Sequence, residues 1–248
     1  MEIFYPSEHK WMETITENPL SELGKNNKAR LRSTLNTLDK TLISYTTEPL
    51  THAILEWFTP LYIQQISEKN NPKLHDIAGK TIDKKSKFPY FILILKENNI
   101  PIGGTIFSKR NNILSIAYRI YPQNWNNHNL QASPSLYTEY IINSYGHQEG
   151  FSILSHGKDR NPYGINASIG LALFKLSVGC NVYLPNEYTV ASLDVTNVQQ
   201  DLLIFEMPAE SETRITQGYL CVTNESLPKY ENVTKYPEKI KIDIILRG

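Results

Sequence analysis

The sequence predicts an α/β (α+β) domain whose sheet is mixed but mostly antiparallel, with one parallel strand pair and helices flanking it. Three observations carry this expectation. Residues 88–121 hold three apolar runs separated by the polar turns Glu97-Asn98-Asn99 and Arg110-Asn111-Asn112, the pattern of an antiparallel meander. Residues 134–150 then form a helical stripe that delivers the chain into a new apolar strand at 151–155, and a strand reached across a helix pairs parallel to its predecessor. Residues 168–179 read as a helix capped at both ends. Ser168 accepts from its first free amides, and Gly179 suits the left-handed position after its last turn.

In chain order, residues 1–40 are polar and charged and are broken by Pro6, Pro19 and Gly24, so a helical extension is expected there, followed by one domain over 41–248. Its basic cluster, Lys25, Lys28, Arg30 and Arg32, lacks interleaved aromatics and reads as a solvated helix face. A short strand is expected at 42–45. Residues 51–69 carry Ile54, Leu55, Phe58, Leu61, Tyr62 and Ile66 on one helical stripe, with Pro60 placed to kink or split it. A second helical piece follows at 74–82. The run FPYFILILK at 88–96 is continuously apolar, as in a strand covered on both faces. Strands at 100–109 and 113–121 complete the meander. Gly103-Gly104 inside the first of these marks a bulge or a place where something packs on the backbone.

The stretch 121–134 is long and irregular, and such connections are more often functional than decorative. Ser133 reads as an N-cap with Pro134 at the first helical position, and Leu136, Tyr137, Tyr140, Ile141, Ser144 and Tyr145 form the stripe of the helix that follows. After the strand at 151–155, residues 156–167 read as a polar loop. The helix beyond it carries Ile169, Ala172, Leu173 and Leu176 on one face and Leu171, Phe174 and Val178 on the other, leaving Lys175 as its only charge. A lone ammonium on a buried helix must find an anion or a way out to water. Strands at 201–207, 217–223 and 240–246 end the chain, the last half exposed because its isoleucines alternate.

Composition narrows the function classes. The 248 residues hold 25 Lys plus Arg and 25 Asp plus Glu, so no global field gathers nucleic acid or an anionic membrane. Two cysteines, Cys180 and Cys221, are too few for a disulfide framework and suit a reducing compartment. The first twenty residues carry charges where a signal peptide needs an apolar run, and no stretch reaches membrane-spanning length, so a cytoplasmic protein is expected. P-loop, Gly-x-Gly-x-x-Gly, His-Glu-x-x-His and Cys-x-x-Cys patterns are missing. His52, His75, His128, His147 and His156 are scattered without ligand spacing, so no metal site is expected. A Cys180 nucleophile with His156 as base is equally unsupported, because a cysteine after an apolar helix is usually inert core.

The stretch after the strand at 151–155, with Gly170-Leu171, Phe174-Lys175 and a closing Gly179, resembles the signature of Fem-type aminoacyltransferases. Those proteins form the Fem-like branch of the GNAT acyltransferase superfamily, and the upstream order of elements over about residues 40–190 is similar to the GNAT order. The resemblance implies a GNAT-like sheet whose fourth and fifth strands splay apart to admit an acyl donor, with the donor's anionic part on the amides of the following helix, here around Ser133 and Ser135. A helix N-terminus suits that task. Ordinary coenzyme A-dependent members carry an Arg/Gln-x-x-Gly-x-Gly/Ala turn at this point, whereas residues 121–135 contain no glycine. The resemblance therefore implies a carrier-bound acyl or aminoacyl group, on coenzyme A in another pose, on acyl carrier protein or on tRNA, and an amine acceptor.

Acyl transfer to an amine requires deprotonation of the amine, polarisation of the carbonyl and protonation of the leaving group. His156, Asp159, Tyr163 and Tyr118 are the candidates for catalysis, the first as base, Asp159 and Tyr163 as base and proton donor, and Tyr118 as the residue sent toward the opening. Lys175, Ser133, Ser135 and Arg160 are the candidates for donor binding. Each also has a plainer reading: His156 as a turn histidine, the loop polars as solvating groups, and Lys175 as a lysine that lies along apolar neighbours and reaches water. Two function classes follow, a GNAT-fold N-acyltransferase and a non-catalytic GNAT-like binding domain.

Overall fold

A computed structural model of the chain describes residues 1–38, 43–68, 74–83, 87–123, 125–165 and 167–247. Leu42, Lys69 and Asn166, which the sequence reading placed in a strand, a helix and a loop, lie outside the described residues. In chain order the elements are β1 (Glu2–Pro6), β2 (Glu8–Thr14), α1 (Lys25–Leu38), β3 (Ile43–Pro49), α2 (His52–Ser67), α3 (Ile77–Thr81), β4 (Tyr90–Glu97), β5 (Ile100–Arg110) and β6 (Ile113–Ile120). Then come α4 (Pro134–Gln148), β7 (Ile153–Arg160), α5 (Ile169–Ser177), β8 (Asn181–Tyr183), β9 (Val190–Asp194), β10 (Leu202–Phe205), β11 (Arg214–Ile215), β12 (Gln217–Thr223) and β13 (Lys241–Arg247). The chain divides into two compact units, one of residues Ile15–Ser155 and one of Met1–Thr14 with His156–Gly248. No helix of the described residues is long and apolar enough to cross a membrane.

In the unit Ile15–Ser155, β3, β4, β5 and β6 pair antiparallel in order, and β7 pairs parallel to β6 through Ile113↔Ile153, Leu114↔Leu154 and Ser115↔Ser155. The parallel pair and its helical crossover are as the sequence predicts. Ile92, Ile94, Ile106 and Ile120 meet Ile54, Leu55, Phe58 and Tyr62 of α2 and Ile77 of α3 in one buried cluster. Phe107, one residue from Ile106 and so on the opposite face, meets Tyr145 of α4. Helices therefore cover both faces, which explains why the run at 88–96 is apolar throughout. Thr51 caps α2, which continues through Pro60 rather than splitting there. The second helical piece shrinks to the five residues of α3. Lys25, Arg30 and Arg32 are exposed on α1, the solvated face expected of them. Gly104 answers the glycine pair in β5, since a Cβ there would stand 2.9 Å from the Leu93 carbonyl oxygen of the neighbouring strand.

The unit Met1–Thr14 with His156–Gly248 holds the strand order β11-β8-β2-β7, the pair β1-β9 and the sheet β10-β12-β13. Strands β1 and β2 correct the first part of the expected helical extension, whose later part is helical in α1. Strand β2 buries His9, Trp11 and Glu13 at alternate positions, a period-2 face hidden from a hydropathy reading because two of its three members are polar. Strand β7 corrects the loop expected from 156 onward, since it runs on through His156 to Arg160. Beyond it the Asn161 side chain donates to the Phe205 carbonyl at 2.7 Å and accepts from the Phe205 amide at 3.1 Å, taking the place of a strand partner for β10. Strands β12 and β13 pair parallel; Ile242 is buried but Ile244, two residues on and so on the same face, is exposed while Ile245 packs on the core, which corrects the strict alternation expected of this strand.

Candidate active site

Helix α5 begins as predicted, with the Ser168 side chain accepting from the Leu171 amide, and Gly179 follows it at φ +106. The helix buries Ile169, Ala172, Lys175 and Leu176, so its single charge lies on the face turned inward. Lys175 Nζ donates to Asp159 Oδ2 at 2.7 Å, with only 8% and 15% of the two side chains exposed. The ammonium also lies 5.5 Å from the centre of the Trp11 ring. Of the fates open to a lone lysine, pairing with Asp159 is the one realised, and the route out to water is not.

Around this pair lies a closed polar network. Tyr163 Oη, fully buried, donates to Asp159 Oδ2 at 2.6 Å and accepts from Trp11 Nε1 at 2.7 Å. His9 Nε2 lies 2.8 Å from the same oxygen. A phenol has one proton, and the short contact to the carboxylate takes it, so His9 Nε2 must carry the hydrogen in this contact. His9 Nδ1 then keeps its lone pair, without a hydrogen-bond partner among the described residues. Burial pushes His9 down to about 3, with the Asp159 carboxylate opposing and Lys175 assisting, so the ring is neutral. Burial also pushes the Asp159 carboxyl up, but the Lys175 charge and the hydrogen bonds from Lys175 and Tyr163 outweigh it and hold the group below its ordinary value. Tyr163 is pushed well above the usual phenol range by burial and by the Asp159 charge. A phenol this weakly acidic, whose proton is already given to a carboxylate, is a poor proton donor to a leaving group.

The other candidates are placed as follows. His156 lies in β7, not in a loop, with Nε2 3.9 Å from Glu13 Oε1. Arg160 is exposed at the end of the same strand. Tyr118, Ser133 and Ser135 belong to the unit Ile15–Ser155. Tyr118 is half-buried against Tyr62 and His75, and burial followed by the neighbouring tyrosines pushes it up to about 12. Its neighbour Arg119 takes the other face and pairs with Glu139 of α4 at 2.7 Å.

The start of α4 is closed rather than open. Pro134 has no N–H, the Leu136 amide donates to Ser133 Oγ at 3.2 Å, and the Tyr137 amide donates to the Ser133 carbonyl at 3.0 Å. The Ser133 and Ser135 hydroxyls lie 2.9 Å apart. A diphosphate needs several free amides in this first turn, so these residues do not fit coenzyme A in its usual pose. Ser133→Ala is expected to cost about 1 kcal/mol through loss of the cap, measured as a shift in the urea unfolding midpoint. A change below a few tenths would show that the cap is idle.

One feature had no signal in the side chains. In the β5–β6 register Ile106 faces Tyr118 while Phe107 faces Ile116, which leaves Ala117 as the extra residue of a bulge. The β6–β7 register ends at Ser115↔Ser155, just before that bulge, and Ala117 is exposed.

No protein-family model and no curated protein matches the sequence. Solved structures do resemble it. The C-terminal domain of a protein from Agrobacterium fabrum, described as a lysylphosphatidylglycerol synthetase, is similar over 77% of this chain and 61% of its own, with 9% identity and a TM-score of 0.50. FemX is similar over 72% of this chain and 60% of its own, with 12% identity and a TM-score of 0.49. A GCN5-related N-acetyltransferase from Anabaena variabilis is similar over 77% and 39%, with 12% identity and a TM-score of 0.38. The chain thus spans less than two-thirds of the length of each. The likeness that reaches a TM-score of 0.50 is one of fold, and the mixed sheet with its parallel β6–β7 pair and flanking helices is of the fold class the sequence predicts.

Proposed function

We propose that the chain is a GNAT-fold N-acyltransferase that moves an acyl or aminoacyl group from a carrier to an amine. The observation that carries this reading is the bulged strand β6, whose pairing with β7 stops at Ser115 and whose extra residue, Ala117, is exposed. A bulge re-aims backbone amides, and amides fixed in place can polarise a carbonyl as an amine attacks it. Such a site needs few side chains. The likeness to the protein described as a lysylphosphatidylglycerol synthetase, whose product name contains an aminoacyl ester, supports an aminoacyl group over a plain acetyl. The closed first turn of α4 supports a donor held on tRNA or acyl carrier protein over coenzyme A in its usual pose.

In this reading Tyr118, next to the bulge and kept protonated by its raised pKa, is the hydroxyl that hydrogen-bonds the leaving carrier rather than giving up its proton. Asp159, Tyr163 and Lys175 are positioning residues that tie β7 to α5. His156 is the base candidate, and Arg160, exposed at the strand end, is a candidate to bind a donor.

The burial and mutual bonding of Asp159, Tyr163 and Lys175 favour a second reading, a GNAT-like binding domain without chemistry. Thermal unfolding with acyl-coenzyme A, acylated carrier protein and aminoacyl-tRNA, each followed by a transfer assay against a panel of amines, separates the two. Stabilisation by tRNA or carrier protein is expected, about 2.7 kcal/mol at a hundredfold excess over Kd, together with loss of the acyl group to an amine. Stabilisation without transfer would favour the binding domain, and no stabilisation by any donor would overturn both.

A further inference from the structure

The Glu13, His156 and Cys180 side chains converge in the unit Met1–Thr14 with His156–Gly248, and the transfer reading uses only one of them. Their donor atoms all lie within 4.8 Å of one another. The convergence follows from strand order. The β2–β8 register runs Lys10↔Tyr183, Trp11↔Val182, Met12↔Asn181, so its next step sets Glu13 beside Cys180, the residue before β8. Strand β7, carrying His156, flanks β2 on its other side. Three adjacent strand positions thus offer one oxygen, one nitrogen and one sulfur toward a common point. The Glu13 and His156 side chains are each 4% exposed, and Cys180 is fully buried.

We propose that Glu13, His156 and Cys180 form a binding site for Zn2+. The donor set suits zinc, because a thiolate with an imidazole selects it over magnesium or calcium, which prefer oxygen. Charge argues the same way. Once bound, a carboxylate and a thiolate together carry two negative charges that a divalent cation cancels, so the occupied centre is neutral. Bond lengths of about 2.0–2.3 Å to zinc place tetrahedral donors roughly 3.3–3.7 Å apart, within reach of the observed separations by side-chain rotation. On binding, the Cys180 thiol gives its proton to solvent and its sulfur bonds the metal. Use of Cys180 as an acyl-transfer nucleophile fits less well, because a fully buried sulfur offers a carrier-bound donor no approach. The ligands lie far apart in sequence, which is why spacing alone predicts no metal site. The inference competes with one part of the transfer reading, because a His156 ring that ligates zinc has no lone pair free to act as the base.

The test is direct on the full chain. Protein stripped with a chelator is titrated with Zn2+ against a chromophoric competitor, and separately with Co2+ while the near-ultraviolet spectrum is followed. One Zn2+ per chain and a thiolate-to-cobalt charge-transfer band are expected. Cys180→Ser should abolish the band and weaken zinc at least tenfold, Glu13→Gln should weaken it similarly, and Cys221→Ser should change neither. Buried positions tolerate substitution poorly, so the unmodified chain decides first. Failure to bind a stoichiometric Zn2+, or a cobalt spectrum without thiolate ligation, would overturn the proposal whatever the variants do.

Discussion

Lys175→Met is expected to destabilise the protein by about 3–5 kcal/mol, the scale for removing one partner of a buried ion pair and leaving the other uncompensated. A Lys175 that served a bound donor would instead give a variant that folds normally and loses donor binding or transfer. The 2.7 Å bond to Asp159 and the burial of both groups argue against that outcome. The cost should fall when the carboxylate is neutralised too. A Lys175→Met, Asp159→Asn double variant is expected to recover a large part of the loss, and urea unfolding of the four proteins closes the cycle. Additive single effects would show that the pair is not coupled and would remove the positioning role assigned to it.

The same pair sets a pH signature. The folded-state pKa of Asp159 is depressed, so its contribution is complete above the unfolded carboxyl value and is lost as pH falls through the lower folded value. In Lys175→Met the burial of Asp159 no longer meets an opposing charge, so its folded pKa should rise above the unfolded one. The sign then reverses, and the variant's deficit should shrink as the solution is acidified through the carboxylate range. Chemical denaturation of both proteins from neutral pH to about 4 checks this, and a deficit that stays constant would contradict it.

How much of this was legible depended on where each signal was stored. The meander, α4 with its Ser133 cap, α5 between Ser168 and Gly179, and the parallel β6–β7 pair were legible because local periodicity and capping encode them. That Lys175 needs an anion was legible because a lone buried charge demands one. By contrast, β2 escaped because its buried face is His9, Trp11 and Glu13, residues that become inward only through long-range pairing with β8 and β7. The polar run HGKDR concealed the outer half of β7 for the same reason, and Gly157 at φ +79 weakened the strand pattern further. His9 and Glu13 thus had no local signal, although one lies in the Tyr163 network and the other faces His156. The bulge at Ala117 is a property of the register between two strands and leaves no mark on one of them.

Glu139→Gln is the second change expected to cost about 3–5 kcal/mol, and it acts in the other unit. Arg119 Nη1 donates to Glu139 Oε2 at 2.7 Å, with 11% and 4% of the two side chains exposed. Burial works against the guanidinium charge, but Glu139 and Tyr121 outweigh it and push the group above its ordinary value, so arginine stays charged in every folded form. A neutral amide at 139 therefore leaves a buried cation facing a weaker partner. The pair joins β6 to the crossover helix α4, and Gln65 of α2 holds the same strand end by donating to the Arg119 carbonyl at 3.0 Å and accepting from the Tyr121 amide at 2.8 Å. Replacing both charged residues by leucine and methionine should restore much of the stability, because hydrophobic substitutes of similar volume are often neutral where a broken pair is not. If β6 presents the amides that polarise the donor carbonyl, Glu139→Gln should also lower transfer more than it lowers donor affinity, since it loosens the strand without touching a ligand. Equilibrium unfolding gives the first number, and donor titration beside the transfer assay gives the second. A variant within about 1 kcal/mol of the parent would show that Arg119 finds its compensation elsewhere.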